Sequence, residues 1–350
     1  MALLENLKAE LANVERLQDI LNLAAHNLED YKKFVMVAQV RNGDPLAFLG
    51  EMDDLGTAGA GCNPEYKEVG IVNKMKRWEL GDWSMANKMC YKSLEGSIAE
   101  FSLKGGTEKA EAVEFMTQVY IPKVVEALNK AVWRWGWFGD KEAKNISDGG
   151  QITDGVDTSL FTVADGLFKQ IFAACAENAD QLTAIEANTK TTYKAQKEAI
   201  LAEGVATGIV DKVLMDADAR ISASNGAMLL MTKAMADALA YDLKKLYNHV
   251  IHWETLFEGF DVAEYNGVKV ARISVWDRFI KAYENDGTKL NKPYRIIFTN
   301  PSNLMLASDA NDLVSEANVY FDERTRENLV YAQGKFGAML KEDDMVHAAY

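Results

Sequence analysis

The fold of this chain is decided by Glu108–Asp140, which reads EKAEAVEFMTQVYIPKVVEALNKAVWRWGWFGD. At about 1.5 Å per residue, a helix over this stretch would be ~45 Å long, which is longer than a compact domain usually needs. The stretch closes in an aromatic cluster, Trp133–Phe138. We therefore predict a long spine helix, because apolar residues recur at helical spacing at Val113, Met116, Val119, Val124, Leu128, Val132 and Trp135.

Pro122 interrupts this pattern. Proline has no amide hydrogen and clashes with the preceding turn, so a continuous helix would kink near residue 118. The sequence leaves two alternatives open: a spine helix bent at this point, or two helices that meet at Ile121.

The N-terminal residues 1–40 carry a heptad-like pattern that predicts an amphipathic helix docked on its own body or on another copy. Arg41–Pro45 then breaks the pattern, and Glu51–Gly61 is glycine-rich and acidic, which indicates a flexible arm. The apolar positions of the heptads are Leu4, Leu7, Leu11, Val14, Leu21 and Leu28.

Residues 62–106 alternate aromatic and charged side chains with little periodicity. Aromatic side chains on an extended loop need a partner surface to cover them. We therefore expect a loop that a neighbouring subunit covers, with Thr107 capping the spine helix behind it. The alternative is a pair of short helices on the core, with both tryptophans simply buried. The interface candidates are Arg77, Trp78, Trp83 and Tyr91.

The rest of the chain predicts a compact mixed α/β region. Asn266-Gly267 between two β-rich runs is a strong hairpin signal. Helices are expected at 163–187, 190–203, 233–248 and 276–283, the third preceded by a strand at 228–231 and capped by Thr232. Further strands are expected at 295–299, as two strands within 317–340, and at 345–350, with a capped turn at 300–304.

Composition narrows the class of protein. The 350 residues are 48% apolar and 26% charged, which is typical of a globular protein. The net charge of −14 argues against sequence-directed nucleic-acid binding, although a container wall facing packed DNA could be acidic. The acidity could also serve solubility alone. No apolar run reaches the ~18 residues of a membrane span, and the three cysteines are expected to be free thiols.

Signals for chemistry are weak, and we expect neither an enzyme nor a bound cofactor or metal. Gly56–Gly61 lacks the lysine and the helix that a phosphate-binding loop requires. His249, His252 and Glu254 could hold a metal, but two histidines also suit the negative end of a helix. The carboxylates of the loop after the spine do not match calcium-loop spacing: Asp148, Asp154 and Asp157.

The order of these features resembles the major capsid protein of tailed bacteriophages, the Hong Kong-phage-type fold that encapsulins share. The resemblance covers roughly residues 55–350 and is strongest near the C-terminus. It rests there on Phe257-Glu258-Gly259, the Asn266-Gly267 hairpin, Val275-Trp276-Asp277, Pro293–Thr299, Asn303-Leu304 and Ala348–Tyr350.

The resemblance implies an α+β phage major-capsid fold in five parts. Residues 1–60 would be an N-terminal helix and arm, and 61–106 the extended loop over a neighbour. Residues 107–160 would form the peripheral domain with the spine helix, and 161–310 the mixed α/β axial domain. Residues 311–350 would be closing strands that return to the peripheral and axial sheets.

The function that the resemblance implies is structural. Pentamers and hexamers of the chain would assemble in the host cytoplasm into an icosahedral virion capsid around double-stranded DNA, contacted non-specifically. The partners would be other copies, with a separate scaffold, a portal and decoration proteins, and no membrane. An encapsulin-like compartment, an oligomeric α/β enzyme and a binding module remain alternatives. The short N-terminal region predicts no maturation cleavage, and no motif assigns a cross-link to the loop lysines Lys67, Lys74, Lys76, Lys88 or Lys92.

Overall fold

The structure, a computed structural model, describes residues 36–52, 71–90, 121–257, 259–309, 314–322, 324 and 327–350. The α-helices of this part are α1 Ile121–Phe138, α2 Leu167–Glu177, α3 Tyr193–Ile200, α4 Val205–Asp216, α5 Ala219–Ala223, α6 Lys233–Tyr247 and α7 Ser274–Tyr283. Its strands are β1 Met36–Gln39, β2 Pro45–Met52, β3 Ile71–Arg77, β4 Gly81–Cys90, β5 Leu182–Thr183, β6 Met228–Thr232, β7 Glu254–Phe257, β8 Phe260–Tyr265, β9 Val268–Ile273, β10 Ile296–Thr299, β11 Leu304–Ser308, β12 Glu316–Asp322, β13 Glu327–Leu340 and β14 Val346–Ala349.

Most of these strands form two sheets. A seven-stranded mixed sheet has the order β5-β14-β10-β6-β9-β8-β7. A five-stranded sheet has the order β1-β11-β13-β12, and β4 also pairs with β13. The long strand β13 organises this second sheet, because it pairs antiparallel with β4, β11 and β12 along its length.

The seven-stranded sheet is covered on both faces, which explains its continuous apolar strands. Side chains alternate between the faces of a strand. Ile297 of β10 joins the cluster around α1, α2 and α7, whereas Ile296 and Phe298 join the cluster around α3, α4 and α6. Both faces of β10 and β6 are therefore buried, as the runs IIFT and MLLMT require.

The last turns of α1 hold the two sheets together. Trp135 lies 5.9 Å, between ring centroids, from Phe336 of the five-stranded sheet. Trp137 lies 4.6 Å from Trp276 of α7 and 5.3 Å from Phe168 of α2. The aromatic cluster predicted at the end of the spine is thus a buried junction, with Trp137 fully enclosed.

Directly after α1, the backbone passes very close to the segment that precedes α2. Gly139 and Gly166 are joined by a hydrogen bond from the Gly166 amide to the Gly139 carbonyl, 2.8 Å long. A Cβ on Gly139 would lie 2.3 Å from the carbonyl oxygen of Ala164. Glycine is required here because any side chain would force the two segments apart.

The N-terminal prediction needs a correction at its end. Residues 1–35 lie outside the described residues, but Met36–Gln39 is a strand that pairs parallel with β11 and is not part of a helix. The turn predicted at Arg41–Pro45 is present, with Gly43 at φ +87°. The Asp44 carboxylate accepts a hydrogen bond from the Arg41 amide, 2.8 Å long.

The predicted single loop over 61–106 is also wrong in its central part. Ile71–Arg77 pairs with Pro45–Met52 as a two-stranded sheet, which we call the ribbon. Gly81–Cys90 belongs to the five-stranded sheet. The short helices considered as the alternative are absent from residues 71–90. Residues 61–70 and 91–106 lie outside the described part.

The compact region follows the sequence prediction more closely. The hairpin turns at Asn266 (φ +49°) and Gly267 (φ +78°), as an Asn-Gly pair requires. The helix expected over 163–187 covers only Leu167–Glu177, and α4 and α5 were not predicted. Thr232 makes no capping hydrogen bond with its side chain.

The N-terminus of α6 is capped instead from α7. The Asp277 carboxylate accepts hydrogen bonds from the amides of Lys233 and Ala234, at 2.5 and 2.8 Å. These are two of the amides that a helix start leaves unpaired. A carboxylate at this position also faces the positive end of the helix dipole.

Candidate subunit-interface site

Trp78 lies in the short link between the ribbon and the five-stranded sheet. Its side chain is only 2% exposed and packs in a small cluster with Leu80 of the link, Met305 and Ala307 of β11 and Met339 of β13. Its amide and carbonyl are bonded to Asp44 and Gly43, at 3.0 and 2.8 Å. The ring is therefore covered by its own chain, and the expectation that a neighbour covers it is not met.

Trp83 lies on β4 and is also buried. It is 4% exposed, and its ring centroid lies 5.5 Å from that of Trp135 in α1, the described part of the predicted spine helix, whose residues 107–120 lie outside the described residues. Its indole nitrogen has no hydrogen-bond partner in the described structure. Burial, which was the alternative reading of the sequence, therefore holds for both tryptophans, but Trp78 lies in a link and Trp83 on a strand, not on helices.

The other two interface candidates have different positions. Arg77 is exposed at the end of β3, and its guanidinium donates a hydrogen bond to the Gly43 carbonyl, 3.2 Å long. Tyr91 lies outside the described residues. The structure thus brings Arg77 and Trp78 to one end of the ribbon, whereas Trp83 packs in the separate cluster around α1. A contact of any of them with a neighbouring subunit stays a prediction.

The ribbon is fastened to the body at this same end. The Lys76 ammonium donates to the carbonyl of Leu340 (2.7 Å) and to the carboxylate of Asp343 (2.6 Å). Beyond this root, the side chain of Met75 is 58% exposed. Within the residues that the structure describes, neither ribbon strand pairs with a third strand.

One ion pair joins the link after the ribbon to the segment that follows α1, and two more hold Lys169 of α2. Lys141 pairs with Glu79 at 2.7 Å, and Lys169 pairs with Asp140 at 2.6 Å and with Asp165 at 2.8 Å. Burial acts to lower the pKa of Lys169, but its two carboxylate partners outweigh burial and raise that pKa. Burial acts to raise the pKa of Asp165, and hydrogen bonds from Lys169 and the Lys141 amide outweigh it and lower that pKa.

The other sequence candidates form no catalytic arrangement. His249, His252 and Glu254 are exposed on the segment after α6. Asp154 and Asp157 accept hydrogen bonds from the backbone amides of Ser147 and Ser159, both at 2.9 Å, as loop-capping residues do.

The remaining sequence expectations concern metal binding, a phosphate-binding loop and a membrane span. No group of metal-binding side chains is found among the described residues. The glycine-rich stretch Gly56–Gly61 lies outside them. Within the same described ranges, no helix has the length and apolar character needed to cross a bilayer.

The first ribbon strand was not predicted from the sequence. Only its ends fell within predicted segments, Pro45 in the breaker cluster and Glu51-Met52 in the arm, although its run Leu46-Ala47-Phe48-Leu49 follows the turn at Arg41–Pro45. An apolar run bounded by turn residues is a strand signal. That signal could have placed the ribbon at 45–77.

The architecture was compared with that of known proteins. No protein-family model matches the chain, and no curated protein sequence matches it. A chain of the satellite phage P4 procapsid, solved with its size determination protein, superposes with a TM-score of 0.52 at 9% identity, over 96% of this chain and 98% of that chain. A chain of the native GTA particle capsid gives a TM-score of 0.47 at 12% identity, covering 91% of this chain and 88% of that chain. The encapsulin complex of Synechococcus elongatus PCC 7942 gives 0.42 at 10% identity, covering 91% and 85%.

Of these three, the procapsid superposition supports a conclusion, because it spans nearly the whole of both chains. At such low identity it concerns the fold alone. The chain has the fold of phage capsid proteins, so the α+β capsid fold expected from the sequence is confirmed.

Proposed function

We propose that this chain is the structural subunit of a phage capsid. Pentamers and hexamers of it would close into an icosahedral shell around double-stranded DNA, assembled in the host cytoplasm. The capsid fold supports this role. A net charge of −14 suits a wall that contacts packed DNA without binding it tightly.

The ribbon is the observation that carries the proposal. A two-stranded hairpin alone is marginally stable in water, and three strands or a packing surface are normally needed. The ribbon has no third strand in the described structure and exposes Met75. A neighbouring subunit in a closed assembly would supply the missing surface.

Electron microscopy of the purified protein is the first test, after sizing by light scattering. We expect closed shells, or rings of five and six subunits if a separate scaffold is required. A monomer that stays monomeric at high concentration, even with the scaffold protein supplied, would contradict the proposal.

A ribbon variant tests the role of the ribbon more sharply. Removing all of 62–106 would also delete β4 and expose the five-stranded sheet, so the change should be confined to 53–70. Met52 and Ile71 are cross-strand partners, and an Asn-Gly turn could join them directly. We expect this variant to keep the unfolding free energy of the wild-type subunit and to lose closed shells.

A length-matched control separates two explanations of that loss. Residues 53–70 replaced by a glycine-serine segment of the same length keep the connection but remove every side-chain contact. If this control assembles, a segment of this length is sufficient for assembly whatever its side chains. If it fails like the Asn-Gly variant, assembly needs contacts made by the side chains of residues 53–70. Normal shells from the Asn-Gly variant would show that the ribbon end plays no part in assembly.

A further inference from the structure

A cleft of about 860 Å³ lies where the end of α1 meets the turn before β10. One side is formed by residues 137–144 and 149–152, the other by α2 together with Glu284, Lys292 and Arg295. We call this space the basic cleft. Its size is within the range of pockets that bind small molecules.

The walls of the cleft are held in place by hydrogen bonds between its two sides. The Asn291 side-chain amide donates to the side chain of Gln151 at 2.9 Å. The Thr153 amide donates to the carbonyl of Tyr283 at 2.7 Å, and the Asn285 amide donates to the Thr153 hydroxyl at 2.9 Å. The cleft is therefore formed by the folded subunit itself.

The charge of the lining is opposite to that of the chain. The chain carries a net −14, whereas in the cleft basic side chains outnumber the acidic Asp140, Glu142 and Glu284. A locally positive cleft in an acidic protein concentrates anions. The basic side chains that line it are Lys141, Lys144, Lys169, Lys292 and Arg295.

Three of these cations already have carboxylate partners. Lys141 pairs with Glu79, Lys169 with Asp140, and Arg295 with Glu284. Lys144 is exposed and can be solvated. Lys292 is the exception, because it is half-buried and no carboxylate or hydrogen-bond acceptor for its ammonium is found in the described structure.

Lys292 is also held in an unfavourable backbone conformation. Its φ of +44° lies in the left-handed region, which costs a non-glycine residue about 1 kcal/mol or more. The ammonium lies 4.6 Å from the ring centre of Phe172 and 4.0 Å from that of Tyr350. Burial, and next the charge of Arg295, lower the pKa of Lys292. A strained residue that places a desolvated charge in a cleft is a feature of binding sites.

Arg295 presents a second donor to the same space. Its side chain is 2% exposed, with Nε donating to the Lys292 carbonyl (2.8 Å) and Nη2 to Glu284 and to the Asn291 carbonyl. Within the described residues its Nη1 makes no hydrogen bond. The guanidinium carbon lies over the ring of Phe168, 4.6 Å from its centre.

From this arrangement we propose that the basic cleft is an anion-binding site, in which Lys292 and the free edge of Arg295 hold one carboxylate or phosphate group. A guanidinium and an ammonium together suit such a group, because both oxyanions accept several charge-assisted hydrogen bonds. Glu284 is already paired with Arg295, so it does not neutralise the charge of Lys292. The bound anion would neutralise that charge. The group could belong to a free small anion or to an acidic side chain of another copy of the chain.

Phosphate titration of the unassembled full-length subunit tests the site without reference to assembly. Binding of inorganic phosphate is measured by calorimetry, with chloride at matched ionic strength as the reference. We expect saturable binding to the wild type and a loss of affinity of about 10- to 100-fold in Lys292→Met, since hydrogen bonds to charged groups contribute about 1.5–3 kcal/mol.

Two further variants keep this test decisive. Lys281→Met removes the same charge from an exposed position outside the cleft, and its phosphate affinity should equal that of the wild type. Lys292→Gly removes the ammonium and places at this position a residue that tolerates the left-handed backbone, and its fold is checked by circular dichroism. Absence of saturable binding, or an unchanged affinity in both Lys292 variants, would overturn the proposal.

The source of the anion is distinguished by a second measurement, which rests on the proposed shell function. Assembly is followed by light scattering in phosphate and in chloride at equal ionic strength. If an acidic side chain of another copy occupies the cleft, phosphate competes and slows assembly of the wild type but not of Lys292→Met. Equal assembly in both salts assigns the cleft to a free anion.

Discussion

Replacing Trp78 by alanine should destabilise the isolated subunit before any assembly takes place. The ring is 2% exposed and packs on Leu80, Met305, Ala307 and Met339. A buried aromatic side chain removes about 150–250 Å² from water, which at ~25 cal/mol per Å² gives roughly 4–6 kcal/mol. Measured Trp→Ala replacements in cores cost about 3–5 kcal/mol. We therefore expect Trp78→Ala to lose about 3–5 kcal/mol of unfolding free energy.

The assay is urea unfolding of the unassembled subunit followed by far-ultraviolet circular dichroism, which does not depend on the removed indole. Tyr247→Ala is the matched control, because this aromatic side chain is 69% exposed and its loss should change stability by no more than about 0.5 kcal/mol. If Trp78→Ala unfolds like the wild type but no longer assembles, the ring acts as a subunit-interface anchor and the reasoning from burial is refuted.

Three further outcomes follow from buried polar groups. Glu284→Gln should cost about 3–5 kcal/mol in urea unfolding by leaving the 2%-exposed Arg295 unpaired; the double variant with Arg295→Met should recover part of this loss, and a double variant worse than the single one would contradict the argument. Burial raises the pKa of Asp277 from 3.8 to about 6, so the folded state binds a proton that the unfolded state releases, and the unfolding free energy should fall as pH rises from about 4 to about 6. Asp277→Asn should remove this slope, and equal slopes in both proteins would exclude Asp277 as the cause. Burial raises the pKa of the Cys175 thiol to about 11, so a variant with Cys175 as its single cysteine should react with a thiol reagent only after unfolding, and rapid reaction of the folded protein would show that the thiol is accessible.

The elements that the sequence predicted well are those whose signals are local. The Asn266-Gly267 turn specifies its hairpin through two residues that accept positive φ. The strand before α6 and the strand at 296–299 were found because both are short apolar runs between turn residues. The capping turn at Asn300 was found for the same reason, since its side chain accepts a hydrogen bond from the Ser302 amide two residues on.

The strand at 81–90 and the burial of Trp78 could not be predicted locally, because they depend on residues far away in the chain. The strand Gly81–Cys90 pairs with Glu327–Phe336, about 250 residues later. The residues near Trp83 in the sequence therefore do not indicate that its side chain is buried. Trp78 is covered by Met305 and Met339 for the same reason. The helix expected through residue 187 ends at Glu177, where the Asn178 side chain turns to cap the next short segment.

The candidate site was predicted only in part. The aromatic residues could be singled out from the sequence as interface candidates, but their number and spacing do not tell whether their own chain or a neighbour covers them. The cleft around Lys292 was missed entirely, because its members are supplied by segments near residues 140, 169 and 292 that only the fold brings together. Charge clusters of this kind have no local sequence pattern.

The way in which the chain is shared between the two sheets has a mechanical consequence. It crosses from one sheet to the other after β4, after β10 and after β13, and the aromatic end of α1 fills the space between them. A rotation between the sheets would have to bend all three crossings and break the aromatic packing at once. The two sheets should therefore move as one rigid body. In an assembly, changes in curvature would then occur at the contacts between neighbouring subunits and not within a subunit.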